Sequence, residues 1–191
     1  NSSATVKQAT DKIPTMTVYL LGFMGSGKST FGKRLASGAG WEFVDLDSLI
    51  EEAEDKTIEE IFAVSGEEYF RDVEAATLRQ IPLDQDMVVA CGGGTPCHRD
   101  NMKYMNRTGI TVYISHNPKT LTHRLLNAKK QRPLLKDRND QDLEEYVTAT
   151  LAERENYYTK ARIIVDGLKA DPGKLMEIIL DYPANNQDLR D

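Results

Sequence analysis

Gly22-Phe-Met-Gly-Ser-Gly-Lys-Ser-Thr30 is the stretch on which the fold turns. It fits the pattern GxxxxGK[ST] in full, with the apolar run Thr17-Val-Tyr-Leu-Leu21 before it and a helical pattern over 28–37 after it. Gly22, Gly25 and Gly27 allow the backbone turns that aim consecutive N–H groups at one anion. The helix that follows adds its N-terminal donors and the positive end of its dipole. In such a loop Gly25, Ser26, Gly27, Lys28, Ser29 and Thr30 surround the phosphates, Lys28 reaches the β- and γ-phosphates, and the Ser29 hydroxyl coordinates magnesium. ATP and Mg2+ are the implied ligands.

Beyond this loop, strand-like runs at 42–45, 87–91, 109–114 and 163–165 alternate with helical patterns. The helices are expected at 48–53, 58–64, 67–79, from Pro118, at 142–158 and from Pro172, with breaks near Thr57 and Gly66. This alternation predicts an α/β fold, a three-layer α/β/α sandwich with a five-stranded parallel sheet. The segment 127–140 is crowded with charge, contains Pro133 and lacks periodicity, so it is expected to be a mobile lid. A single domain is expected over 16–182, with 1–15 a flexible N-terminal extension and 183–191 a flexible tail.

Composition narrows the classes. The chain has 191 residues, 40% of them hydrophobic, enough for one packed domain. A formal net charge of −6 argues against a nucleic-acid partner. Cys91 and Cys97 do not have the spacing of a zinc or redox pair, and read as a buried thiol and a loop thiol. No run approaches the roughly 20 apolar residues of a membrane span, so a cytoplasmic protein is expected. The lack of an obvious exposed apolar stripe points to a monomer. His98, His116 and His123 are scattered in polar segments and read as surface residues, and Trp41 reads as packing.

A guanine-reading NKxD element is absent, and the third strand ends in Gly92-Gly93-Gly94 rather than an acid. Acids follow the second strand instead, in Asp45-Leu46-Asp47. Were this segment extended, both carboxylates would face one way, one to hold a magnesium-bound water and the other to orient or deprotonate an acceptor hydroxyl. The alternative is that Asp47 caps the helix beginning at 48. Three arginines stand in separate segments: Arg71, with Glu74 three residues on to hold its guanidinium; Arg132, opening Arg132-Pro-Leu-Leu135; and Arg154 in the long helix beyond.

These motifs together resemble the shikimate kinase family, over nearly the whole chain from Thr17 to about Leu180: the loop at 22–30, DxD at 45–47, FRxxE at 70–74, the triple glycine at 92–94, RPLL at 132–135 and the arginine of Glu153-Arg154. The resemblance implies the P-loop kinase type of the α/β fold and ATP-dependent phosphorylation of shikimate. It implies that Asp47, Arg71, Gly92, Gly93, Gly94 and Arg154 bind the acceptor, the two arginines taking its carboxylate. Asp47 would act on the acceptor hydroxyl, Asp45 would hold magnesium through water and Ser29 directly, and Arg132 would reach the ATP phosphates. Phe62 and Phe70 would line the pocket or belong to the core. Asp171 and Pro172 match the loop that flanks adenine, but Gly167 stands where the family often shows Thr. The arginine that stacks on adenine has no aligned match, since Leu125 takes its place and Arg124 is one residue out of register. A gluconate-type or nucleoside monophosphate kinase of the same fold is the alternative.

Overall fold

In a computed structural model of the protein, residues 15–129 and 140–185 are described. The chain runs β1 (Thr17–Leu21), α1 (Lys28–Ala39), β2 (Glu42–Asp45), α2 (Leu46–Glu54), α3 (Ile58–Gln80), β3 (Met87–Ala90), a short 3-10 turn (Thr95–Cys97), α4 (Asn101–Thr108), β4 (Ile110–Ser115), α5 (Pro118–Lys129), α6 (Asp140–Tyr158), β5 (Ile163–Asp166) and α7 (Pro172–Asn185). The sheet has the order β2-β3-β1-β4-β5 with every pair parallel. The expected α/β fold with five parallel strands is therefore present.

β1 is central and buried along its whole length, which is why it reads as an unbroken apolar run rather than an alternation. Its side chains nevertheless divide between two faces. Tyr19 and Leu21 join Leu46, Ile50, Ile61, Phe70 and Met105 in one core, while Val18 and Leu20 join Leu35, Val112, Leu175 and Ile179 in the other. α1 and α7 thus cover one face and α2, α3 and α4 the opposite one. A third cluster around Tyr113, Leu125, Leu143 and Tyr158 packs α5 and α6 together, and Trp41 is half-buried against the α1–α7 side.

The chain leaves β1 toward β2 on one side, and leaves β3 toward β4 on the other. That reversal opens a crevice above the carboxyl ends of β1 and β3. Both glycine-rich segments, 22–30 and 92–94, follow those two strand ends directly.

Several boundaries differ from expectation for local reasons. α2 starts at Leu46 rather than at 48, because Asp45, and not Asp47, is its cap: the Asp45 carboxylate accepts from the Asp47 and Ser48 amides. The extended 45–47 segment is therefore not formed. α1 continues to Ala39, where Gly40 turns left-handed (φ 70°) and ends it. The two helices expected around Gly66 form one element kinked there (φ 82°), begun by a Thr57–Glu60 capping box. α4 was not anticipated at all. Thr15, within the expected extension, donates to the Leu83 carbonyl at 2.8 Å, and α7 runs three residues past 182. The lid segment overlaps α5 up to Lys129 and α6 from Asp140; residues 130–139, with Arg132, lie outside the described residues.

Candidate active site

The phosphate-binding loop is built by left-handed backbone at Gly25 (φ 77°) and Gly27 (φ 88°), the latter being the N-cap residue of α1. No acidic residue lies in the first turn of α1, so its amides and dipole remain available to an anion. Lys28 is buried beneath the loop, its Nζ donating to the Gly22 and Phe23 carbonyls at 2.8 Å each and to Ser26 Oγ at 3.3 Å. Burial pulls its pKa down to about 8, with Asp47 and Asp45 acting in the opposite direction. Ser29 and Thr30 are exposed at the start of α1, and the Ser29 hydroxyl donates to Asp45 Oδ2 at 2.6 Å.

The two acids have separate positions. Asp45 spends one oxygen on capping α2 and offers the other to Ser29. Asp47, carried round into the first turn of α2, points its carboxyl at the triple glycine: a β-carbon on Gly92 would lie 3.0 Å from Asp47 Oδ1. Burial above all, then the charges of Asp45 and Glu74, push the Asp47 carboxyl up to about 6.

Arg71 sits on α3, nearly buried, between two acids of its own helix. Its Nη1 donates to Glu74 Oε2 at 3.1 Å and its Nη2 to Glu67 Oε1 at 3.0 Å. Glu74 was expected as its partner; Glu67, four residues earlier, has the spacing that would have revealed it. The other oxygen of Glu74 accepts from Thr95 Oγ1, which ties α3 to the turn after the triple glycine. A β-carbon on Gly94 would lie 2.8 Å from both Nη atoms of Arg71, and one on Gly93 would lie 3.0 Å from Nη1 of Arg154. Arg154 reaches in from α6 with its guanidinium 5.4 Å from the centre of the Phe23 ring. Tyr158, one turn on, donates to the Gly93 carbonyl at 2.6 Å. Asp47, Arg71 and Arg154 thus converge on the bare backbone of Gly92, Gly93 and Gly94 from three different helices.

Phe70 is buried and belongs to the core, while its ring also lies 5.1 Å from the Arg71 guanidinium carbon. Phe62 stacks on it at 4.7 Å and is 37% exposed. Cys91 is buried and Cys97 half-buried in the 3-10 turn, and neither is bonded to the other.

On the opposite side of the loop, Leu125 is core and packs toward Gly25, whereas Nη1 of Arg124 lies 3.5 Å from the Gly25 carbonyl and 3.4 Å from that of Ser26. The out-of-register arginine therefore reaches the loop after all. His98 and His123 are partly or fully exposed, but His116 is a correction: it is buried, with Nε2 3.1 Å from the Ser26 carbonyl. Its polar neighbours Ser115 and Asn117 made the segment read as surface, when the carboxyl end of β4 in fact tucks against the loop. Ser115, His116, Asn117, Asp166 and Leu168 line a cavity of about 370 Å³. Pro172 is the first residue of α7, whose start Asp171 caps by accepting from the Lys174 amide at 2.9 Å.

A phosphate-binding loop at the centre of a parallel sheet, beside a cluster of one carboxylate and two guanidinium groups, fits a small-molecule P-loop kinase. The family model for shikimate kinase matches residues 24–182. The chain belongs to the shikimate kinase family. It is 43% identical, over 145 residues, to a shikimate kinase of Phocaeicola vulgatus, an overlap covering 76% of this chain and 83% of that one. Among solved structures, shikimate kinase from Bacteroides thetaiotaomicron superposes with a TM-score of 0.77 at 36% identity, covering 90% of this chain and 98% of that one. Shikimate kinase from Acinetobacter baumannii, in complex with shikimate, gives 0.74 at 30% identity, covering 91% and 96%. Among the described residues no helix is long and apolar enough to cross a membrane, and no group of three or more His, Cys, Asp or Glu side chains could hold a metal ion by itself.

Proposed function

We propose that this chain transfers the γ-phosphoryl group of ATP to the 3-hydroxyl of shikimate, giving shikimate 3-phosphate and ADP. The observation that carries this reading is the convergence of Asp47, Arg71 and Arg154 on the triple glycine beside the phosphate-binding loop. Two planar guanidinium groups suit an acceptor carboxylate, and the side-chain-free backbone lets a ring approach closely. Asp47, at about 6, is largely ionised at neutral pH and basic enough to take the proton of the attacking hydroxyl. As that oxygen bonds to the γ-phosphorus, the bond to the β-phosphate oxygen breaks and ADP leaves. Lys28 and the loop amides hold the phosphates in line while charge redistributes.

Magnesium fits the oxygen donors present: the Ser29 hydroxyl and the Asp45 carboxylate adjoin each other at the edge of the loop, and such hard ligands suit an ion that keeps several waters. When bound it supplies charge neutralisation on the phosphate oxygens. Arg132, in the lid over 127–140, adds charge at the phosphates, and Pro172 flanks the adenine. The enzyme works as a single-domain cytoplasmic monomer in the route to chorismate and aromatic amino acids; this part rests on the sequence alone, and a dimer in sedimentation equilibrium would overturn the monomer.

Gluconate carries a carboxylate too, so the arginines alone do not separate it from shikimate, whereas a nucleotide acceptor needs a base-reading pocket. Coupled ADP-release assays with shikimate, gluconate, AMP and CMP decide the matter. Rapid turnover is expected with shikimate alone; turnover of another acceptor with none of shikimate sinks the assignment.

A further inference from the structure

His116 and Gly167 share one side-chain volume. A β-carbon on Gly167 would collide with Nε2 and Cε1 of His116 and lie 2.8 Å from Cδ2, so no other residue fits at 167 while the imidazole is in place. The backbone does not ask for glycine there, since Gly167 is not among the glycines with positive φ and its amide simply donates to the Ser115 carbonyl at 2.8 Å. What the glycine accommodates is the ring. The ring in turn makes one polar contact, at 3.1 Å to the Ser26 carbonyl in the middle of the phosphate-binding loop. A carbonyl can only accept, so Nε2 carries a proton, while Nδ1 is buried without a hydrogen-bond partner, a setting that favours the neutral ring with Nδ1 bare.

The Ser26 carbonyl belongs to the same planar peptide as the Gly27 N–H, and in a trans peptide the two point in opposite directions. Holding the carbonyl back against β4 therefore aims the Gly27 N–H forward, to the side where a phosphate binds. We propose that His116 is a positioning residue for nucleotide phosphates, acting through the Ser26 carbonyl, and that Gly167 is the space that admits it. This rests on the loop binding ATP as proposed above. Burial pulls the His116 pKa down; Arg124 and Lys28 act in the same direction, while the Ser26 hydrogen bond and Asp166 oppose them, and a neutral ring is what the tautomer requires.

The test measures ATP binding directly by calorimetry, then KM for ATP and for shikimate and kcat, in the full chain. His116→Leu fills the space without a donor and should weaken ATP binding about five- to tenfold, as expected for one hydrogen bond, leaving KM for shikimate and kcat within about twofold. His116→Gln restores an amide donor and should recover most of that loss. Gly167→Thr should mimic His116→Leu by displacing the ring, and should cost nothing further when added to His116→Ala, where its side chain enters vacated space. Unchanged ATP affinity in a folded His116→Leu overturns the proposal, as does a loss that His116→Gln fails to recover. A native chain that binds no ATP overturns instead the reading of the loop itself.

Discussion

Asp47 is placed where chemistry and stability pull apart. Between 3.8 and about 6 the folded chain keeps a proton that the unfolded chain has released, so this group makes stability fall as pH rises through that window. At pH 7 its ionised form is a net cost to the fold. Asp47→Asn should therefore raise the melting temperature by a few degrees while lowering kcat about 10²–10⁴-fold. In the native enzyme kcat/KM should decline as pH drops through about 6, and the residual activity of the variant should lack that limb. A variant that melts lower and retains the limb would remove Asp47 from the role of base. The two arginines proposed to hold the acceptor should also behave differently. Arg71→Ala leaves Glu74 buried (1% exposed) without its cation, and should destabilise by about 3–5 kcal/mol. Arg154, held over the Phe23 ring and partly exposed, can be removed with little loss of fold, so Arg154→Ala should chiefly raise KM for shikimate, by about ten- to a hundredfold. An unchanged KM would exclude the carboxylate clamp. Glu67 at four-residue spacing was legible beforehand; the pKa of Asp47 was not, because it depends on how many atoms of other elements surround it.

At the scale of elements, the triple glycine after β3 acts as a floor on which helices α2, α3 and α6 deliver their side chains. Its three residues need no unusual backbone; they need the absence of a side chain. Gly94→Ala would place a β-carbon 2.8 Å from the Arg71 guanidinium, the flexible end of a side chain, which can shift at modest expense. The expected result is a stable protein with KM for shikimate raised about tenfold and KM for ATP unchanged; an equal rise in both would show that the floor supports the whole crevice instead. Elements announced by strong local chemistry were legible: β1 by its apolar run, α1 by the glycine-rich loop, and the two limbs of α3 by the breaks near Thr57 and Gly66. α4 was not. It is short, its buried Met102 and Met105 give too little periodicity, and its N-cap residue Asp100 is itself left-handed (φ 55°) and makes no capping bond. The start of α2 was misplaced because two acids competed for one cap, and the choice of Asp45 follows from where β2 ends.

For the whole molecule, the strand order decides where the site can be. At the reversal beside β1 two strand ends leave an open crevice, and both glycine-rich segments empty into it. The lid expected over 127–140 would close across that crevice. Adding a non-hydrolysable ATP analogue should slow amide exchange over that segment, and unchanged exchange there would count against a lid. The sequence alone determined the loop, the alternation of strands and helices, and the order of the acid and arginine motifs, because each rests on residues within a few positions of one another, where spacing along the chain is spacing in space. Only the tertiary structure decided that residues 47, 71, 94 and 154 meet, that Arg124 reaches the loop from one residue out of register, and that His116 is buried against Ser26 in the space left by Gly167. Those contacts join segments up to about a hundred residues apart, and no local pattern encodes the path by which packing brings them together.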